Sequence, residues 1–269
     1  MEFIAYLRQR WQQADSLVCV GLDPYPEKFP AGFGGKDGIF QFNKAIIDAT
    51  HDLVCAYKPQ FAHFAAVAAE DQLKQTIHYL KQNYPDIPVI LDSKRGDIGS
   101  TASMYAQEAF VHYGADAVTV NPYMGVDTVA PFTEYIDKGT ILLCRTSNPG
   151  AAQLQNLDVG GRPLYEEVAR LAAGEWNANQ NVLLVVGATA PEEMARIRRI
   201  CGNMAMLVPG VGAQGGDVAA VLSAGKTTDG TGLIINSSRA ILYASNGDDF
   251  AEAARAEALA LKNEINLYR

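Results

Sequence analysis

The chain has 269 residues, enough for one large α/β barrel or about two average domains. Its 22 Lys and Arg stand against 30 Asp and Glu, a net charge of −8 with no basic run to neutralise a phosphate backbone, so nucleic acid and anionic membrane are poor partners. With 48% hydrophobic and 19% charged residues, the composition excludes disordered and collagen-like chains and suits a protein with a substantial buried core.

The opening segment MEFIAYLRQRWQQADS places Phe3, Ile4, Leu7 and Trp11 on one helical face. It lacks the continuous apolar stretch and cleavage site of a secretory signal, which predicts a retained N-terminal helix. Eight short apolar runs follow: SLVCVGLD (16–23), LVCAYKPQ (53–60), PVILDSKRG (88–96), AVTVNPYM (117–124), TILLCRTS (140–147), NVLLVVGAT (181–189), AMLVPGVG (205–212) and LIINSSR (233–239). They are near-continuously hydrophobic, as burial on both faces of a parallel sheet demands. Helices are predicted between them over Val67–Asn83, Ser103–Tyr113, Pro163–Ala178 and Pro191–Ile200. A last helix is predicted over Asp248–Leu267, its two leading aspartates complementing the helix dipole.

Eight βα units point to α/β architecture, a single (β/α)8 TIM barrel with an additional N-terminal helix, residues 1–269 forming one domain. A doubly wound open sheet is the structural alternative. No Pro/Gly/Ser-rich linker or short internal repeat divides the chain, and no apolar run approaches the roughly 20 residues of a membrane span. Cys19, Cys55, Cys144 and Cys201 form no C-x-x-C pair, and the first three lie in apolar runs, so they read as buried thiols in a reducing cytoplasm.

In such a barrel the active site is built where the strands end. Nearly every run closes on polar residues: Asp23, Lys58, Asp92 with Lys94, Asn121, Arg145 to Ser147 and Arg239, while Gln214 follows the seventh. A lone Lys or Arg leaving a strand usually just reaches for water; several converging on one rim predict a site. With a side-chain period of two, Asp92 and Lys94 point to the same face of their strand, and Lys58 ends the neighbouring strand. The plain alternative is a charge network that only closes the barrel top, but burying several ions costs several kcal/mol each, and such sites are often functional. Glycine-rich 210–216, with Arg239 in the next loop, suits a phosphate. No His/Asp/Glu set is spaced as a metal site; His51, His63, His78 and His112 fall in or beside helical segments.

The stretch LDSKRGDIGSTA (91–102) resembles the D-x-K-x-x-D-I-x-x-T signature of the orotidine 5′-phosphate decarboxylases. The resemblance runs in family order through GLD (21–23), YKP (57–59), RTSNPG (145–150), PGVGAQGGD (209–217) and NSSRAI (236–241), nearly the whole chain, in a form most like the longer-chain branch. It implies decarboxylation of orotidine 5′-monophosphate to uridine 5′-monophosphate and CO2 in pyrimidine biosynthesis, with no metal and no cofactor. Lys94 is then the proton donor, Asp92 lies near the departing carboxylate, and Lys58 and Asp97 flank them. The resemblance assigns Gln214 and Arg239 to the phosphate, Ser147 to the pyrimidine amide and Asp23 to the ribose. It further implies a homodimer in which Asp97, with Ile98 and Thr101, reaches into the partner's pocket; alternatively Ser100 or Thr101 only caps the following helix. The competing functions are a metal-dependent sugar-phosphate decarboxylase or aldolase on a related barrel, and a non-catalytic nucleotide-monophosphate binding protein.

Overall fold

Each apolar run forms one strand: β1 (Val18–Leu22), β2 (Ala56–Pro59), β3 (Ile90–Arg95), β4 (Ala117–Val120), β5 (Gly139–Arg145), β6 (Val182–Val186), β7 (Met206–Pro209) and β8 (Leu233–Ser237). The structure is a computed structural model that describes residues 1–211 and 215–269. All seven strand ladders are parallel, in the order β2-β1-β8-β7-β6-β5-β4-β3. The two ends of that order meet: Tyr57 bridges to Val89 and Gln60 to Asp92, and the Tyr57 N–H donates to Pro88 O at 3.0 Å. Closure decides for the (β/α)8 barrel over the open sheet. β1, β2, β4, β6 and β8 are buried at every position, which is why their sequences carry no polar alternation.

The N-terminal helix, Phe3–Ala14, buries Phe3, Leu7 and Trp11 as its periodicity requires, each worth about 2 kcal/mol in apolar surface removed from water. It closes the end of the barrel where the strands begin. The Phe3 ring lies over Gly139 at the start of β5, where a Cβ would overlap it. Arg10, buried on the same helix, donates to Val54 O at 2.9 Å, pairs with Asp86 Oδ2 at 2.6 Å and also bonds His51 O.

Several helices depart from their predicted bounds. The one expected over Val67–Asn83 begins at Glu70, because Ala68 takes a left-handed backbone (φ 50°) after a short helix Phe61–Ala65. Glu70 and Asp71 then fill the first turn, where carboxylates complement the dipole. The helix expected over Ser103–Tyr113 starts at Gly99 and runs to Gln107, continuing as a π-helical turn over Glu108–His112. Its N-cap is Ile98 with no side-chain cap, so neither Ser100 nor Thr101 caps it. The helix predicted to Ala178 stops at Ala173, and Gly174 follows as its C-cap. Pro191–Cys201 and Phe250–Tyr268 match their predictions within two residues. Two further helices, Ile39–Thr50 and Val126–Thr133, fill the connections after β1 and β4. The four histidines lie in or at the ends of helical segments. No described helix is long and apolar enough to cross a membrane, and the four cysteines are free and buried.

Candidate active site

At the strand ends opposite the N-terminal helix lies a cavity of about 620 Å³, a size typical of small-molecule sites. Asp23, Lys58, Asp92, Lys94, Ser147 and Arg239, drawn from the ends of β1, β2, β3, β5 and β8, all line it. Asp92 is at its centre and only 5% exposed. Its Oδ2 accepts from Lys58 Nζ at 2.8 Å and Gln60 Nε2 at 2.9 Å; its Oδ1 accepts from Lys94 Nζ at 2.6 Å and Thr119 Oγ1 at 2.8 Å. Four donors thus saturate one carboxylate. Burial alone would raise the Asp92 pKa, but Lys58 and Lys94 outweigh it and hold the carboxyl far below its usual range. Burial likewise opposes the charge on Lys58, yet Asp92 and Asp23 overcome it and hold the ammonium above the ordinary lysine value. Both groups therefore remain ionised at neutral pH.

The second carboxylate, Asp23, stands 3.9 Å from Lys58 Nζ, and its buried Oδ1 has no hydrogen-bond partner among the described residues. Lys94 differs from its neighbours in being open to the cavity, with 45% of its side chain exposed. Its backbone is left-handed (φ 47°), at a point where the β3–β4 register slips. The pairing of Asp92 with Lys94 on one face therefore rests on this bulge as well as on strand periodicity.

Across the cavity, Arg239 opens the short helix Arg239–Leu242 and makes no side-chain hydrogen bond or ion pair among the described residues. Beside it the loop after β7 is pinned at its ends, Val211 bridging to Gly216 and the Gly216 N–H donating to Gly210 O at 3.2 Å. Gln214 lies outside the described residues. Gly21 of the GLD motif is required by the approach of β8, since a Cβ there would overlap Ser238 Oγ. On the wall after β5, Gln155 ties down the segment that carries Ser147: its Oε1 accepts from Thr146 N at 2.9 Å and its Nε2 donates to Thr146 Oγ1 at 2.8 Å. Arg145, at the end of β5, donates to Thr146 O at 2.8 Å and lies 3.4 Å from Glu193, so it serves the loop instead of lining the cavity.

Asp97 and Thr101 are not among the residues lining the cavity of their own chain. Asp97 is held through its main chain, its N–H donating to Thr128 Oγ1 at 2.8 Å while that hydroxyl donates to Asp97 O at 2.6 Å. Thr101 is exposed on the helix Gly99–Gln107. Gln60 and Thr119 are functional candidates that the sequence reading did not single out. Their signal was present: Gln60 closes the second run two residues after Lys58, and Thr119 is a hydroxyl inside an apolar strand two residues before Asn121. Among the described residues no group of three or more His, Cys, Asp or Glu stands close enough to hold a metal ion.

Residues 16–256 match the model of the orotidine 5′-phosphate decarboxylase / HUMPS family. The chain belongs to this family. Orotidine 5′-phosphate decarboxylases of Cellvibrio japonicus and an Azoarcus species are 65% and 62% identical to it, each alignment covering 100% of both chains. The solved OMP decarboxylase of Leishmania donovani superposes with a TM-score of 0.88 at 42% identity, covering 100% of this chain and 99% of that one. In this member of the orotidine 5′-phosphate decarboxylase / HUMPS family the signature residues Asp92 and Lys94 form the charged floor of the cavity, while Asp97 and Thr101 of the same signature stand outside it.

Proposed function

We propose that the protein decarboxylates orotidine 5′-monophosphate to uridine 5′-monophosphate and CO2, the carbon–carbon lyase step of pyrimidine biosynthesis. One observation carries this reading: a carboxylate clamped between two ammonium groups forms the floor of the cavity, and a guanidinium with no partner among the described residues faces it from the rim. Loss of CO2 from C6 leaves an electron pair on an sp² carbon with no adjacent carbonyl to accept it, so stabilisation has to be electrostatic. Lys94 supplies it, its ammonium favouring the developing charge and then giving its proton to C6. Asp92 lies beside the departing carboxylate, and Lys58 holds Asp92 in place. No single ion pair meets a barrier reduction on the order of 20 kcal/mol, which is why a preorganised array is needed.

Asp23, whose buried Oδ1 has no hydrogen-bond partner among the described residues, takes a ribose hydroxyl, and Ser147 takes the pyrimidine amide. Arg239 and Gln214 take the phosphate, together with main-chain groups of the loop after β7. Arg239→Ala is expected to weaken catalysis with orotidine 5′-monophosphate by about 100-fold in kcat/KM and with phosphate-free orotidine by less than about threefold. Equal losses for both substrates would give Arg239 to the fold or to another part of the substrate.

Each active site is completed by a second copy of the chain, which supplies Asp97, Ile98 and Thr101. Support comes from the apolar surface beside them: Ile98, Met104, Tyr123, Met124 and Val126, on the segments following β3 and β4, are 45–77% exposed. The free, buried cysteines support a protein working in a reducing cytoplasm. Incubation with orotidine 5′-monophosphate tests the reading: uridine 5′-monophosphate and CO2 are expected in equal amounts, and unaltered substrate would overturn it.

A further inference from the structure

We infer that Thr119 is a positioning residue for the proton donor, its single hydroxyl fixing both the main chain of Lys94 and the carboxylate that aims the Lys94 ammonium. Thr119 is 1% exposed, in the middle of β4. Its Oγ1 accepts the Lys94 N–H at 3.0 Å and donates to Asp92 Oδ1 at 2.8 Å, and the same Oδ1 accepts from Lys94 Nζ at 2.6 Å. A closed circuit results, running from the Lys94 main chain through Thr119 and Asp92 to the tip of the Lys94 side chain. The hydroxyl has no freedom in it. A carboxylate only accepts and an amide N–H only donates, so the one hydroxyl proton must face Asp92 and a lone pair must face Lys94.

The circuit sits where the backbone needs it. Leu91 pairs with Val118 and Arg95 with Val120, so β3 bulges against β4 over this stretch. Lys94 occupies that bulge at φ 47°, a conformation that residues with a side chain rarely adopt without compensation. The hydroxyl satisfies the N–H of Lys94 at this point. Without it the bulge relaxes, and displacing a reacting group by about 1 Å costs on the order of 100-fold in rate. Serine preserves the circuit; valine preserves the shape and removes it.

This inference rests on the decarboxylase reading, and the wild-type protein measured alongside separates the two. Thr119→Val is expected to lower kcat about 30- to 100-fold with KM changed less than about threefold, and Thr119→Ser to retain kcat within about threefold. A kcat for Thr119→Val within threefold of an active wild type would overturn the inference alone, as would a loss appearing in KM. A wild type without activity would overturn the decarboxylase reading and this inference with it. If Thr119→Val does not fold, Thr119→Ala reads the same loss of the hydroxyl in a smaller side chain. Failure of both to fold, with Thr119→Ser folded, would assign the hydroxyl to the stability of the barrel and also overturn the inference.

Discussion

Lys94→Ala is expected to lower turnover of orotidine 5′-monophosphate by about four to seven orders of magnitude while uridine 5′-monophosphate still binds within about tenfold of wild type. The size follows from losing two effects at once, proton donation worth about 10²–10⁴ and electrostatic stabilisation worth about 10²–10³. The barrel survives the change because Asp92 keeps Lys58, Gln60 and Thr119 as donors. Single-turnover kinetics and calorimetric titration of the product read the two quantities separately. Turnover near wild type in this variant would remove Lys94 from the mechanism, and a matching collapse of product affinity would make it a binding group instead.

Mixing Asp97→Ala with Lys94→Ala protein is expected to restore about a quarter of wild-type activity from two nearly inactive parents. If each site takes Lys94 from one chain and Asp97 from the other, a hybrid dimer has one pocket lacking both groups and one pocket intact. Random exchange at equal amounts makes about half the dimers hybrids, and half of their pockets work. The intrachain geometry motivates the experiment: Asp97 is pinned to Thr128 and does not line the cavity of its own chain. No recovery after verified subunit exchange would return Asp97 to its own chain.

The barrel and the centre of the site were legible because they depend on regularities that a sequence displays. Burial on both faces writes the strands as unbroken apolar runs, and the polar residues ending those runs mark the rim. Asp92, Lys94 and Lys58 could be grouped from strand periodicity and strand adjacency alone. The helix expected from Val67 was misplaced because nothing in its composition announces the left-handed turn at Ala68, which arises from packing after β2. For the same reason the bulge at Lys94 was invisible: a register slip between β3 and β4 is a property of two strands together. Thr119 and Gln60 carry only a weak signal, a hydroxyl inside an apolar strand and an amide at a strand end, and the carboxylate they both serve gives it meaning. Thr101 was ambiguous in sequence between capping a helix and contacting substrate. The structure removes the first role, because the helix begins at Gly99 with Ile98 as its cap.

The proposed mechanism places the decarboxylation on fixed charges of the protein itself, centred on Lys94 and Asp92. The most direct test is the loss of orotidine 5′-monophosphate absorbance catalysed by exhaustively chelated protein. Undiminished turnover, with no response to added divalent cations, is the predicted result. Activity that disappears on chelation and returns with a metal ion would contradict the account and favour a metal-dependent reaction on the same barrel.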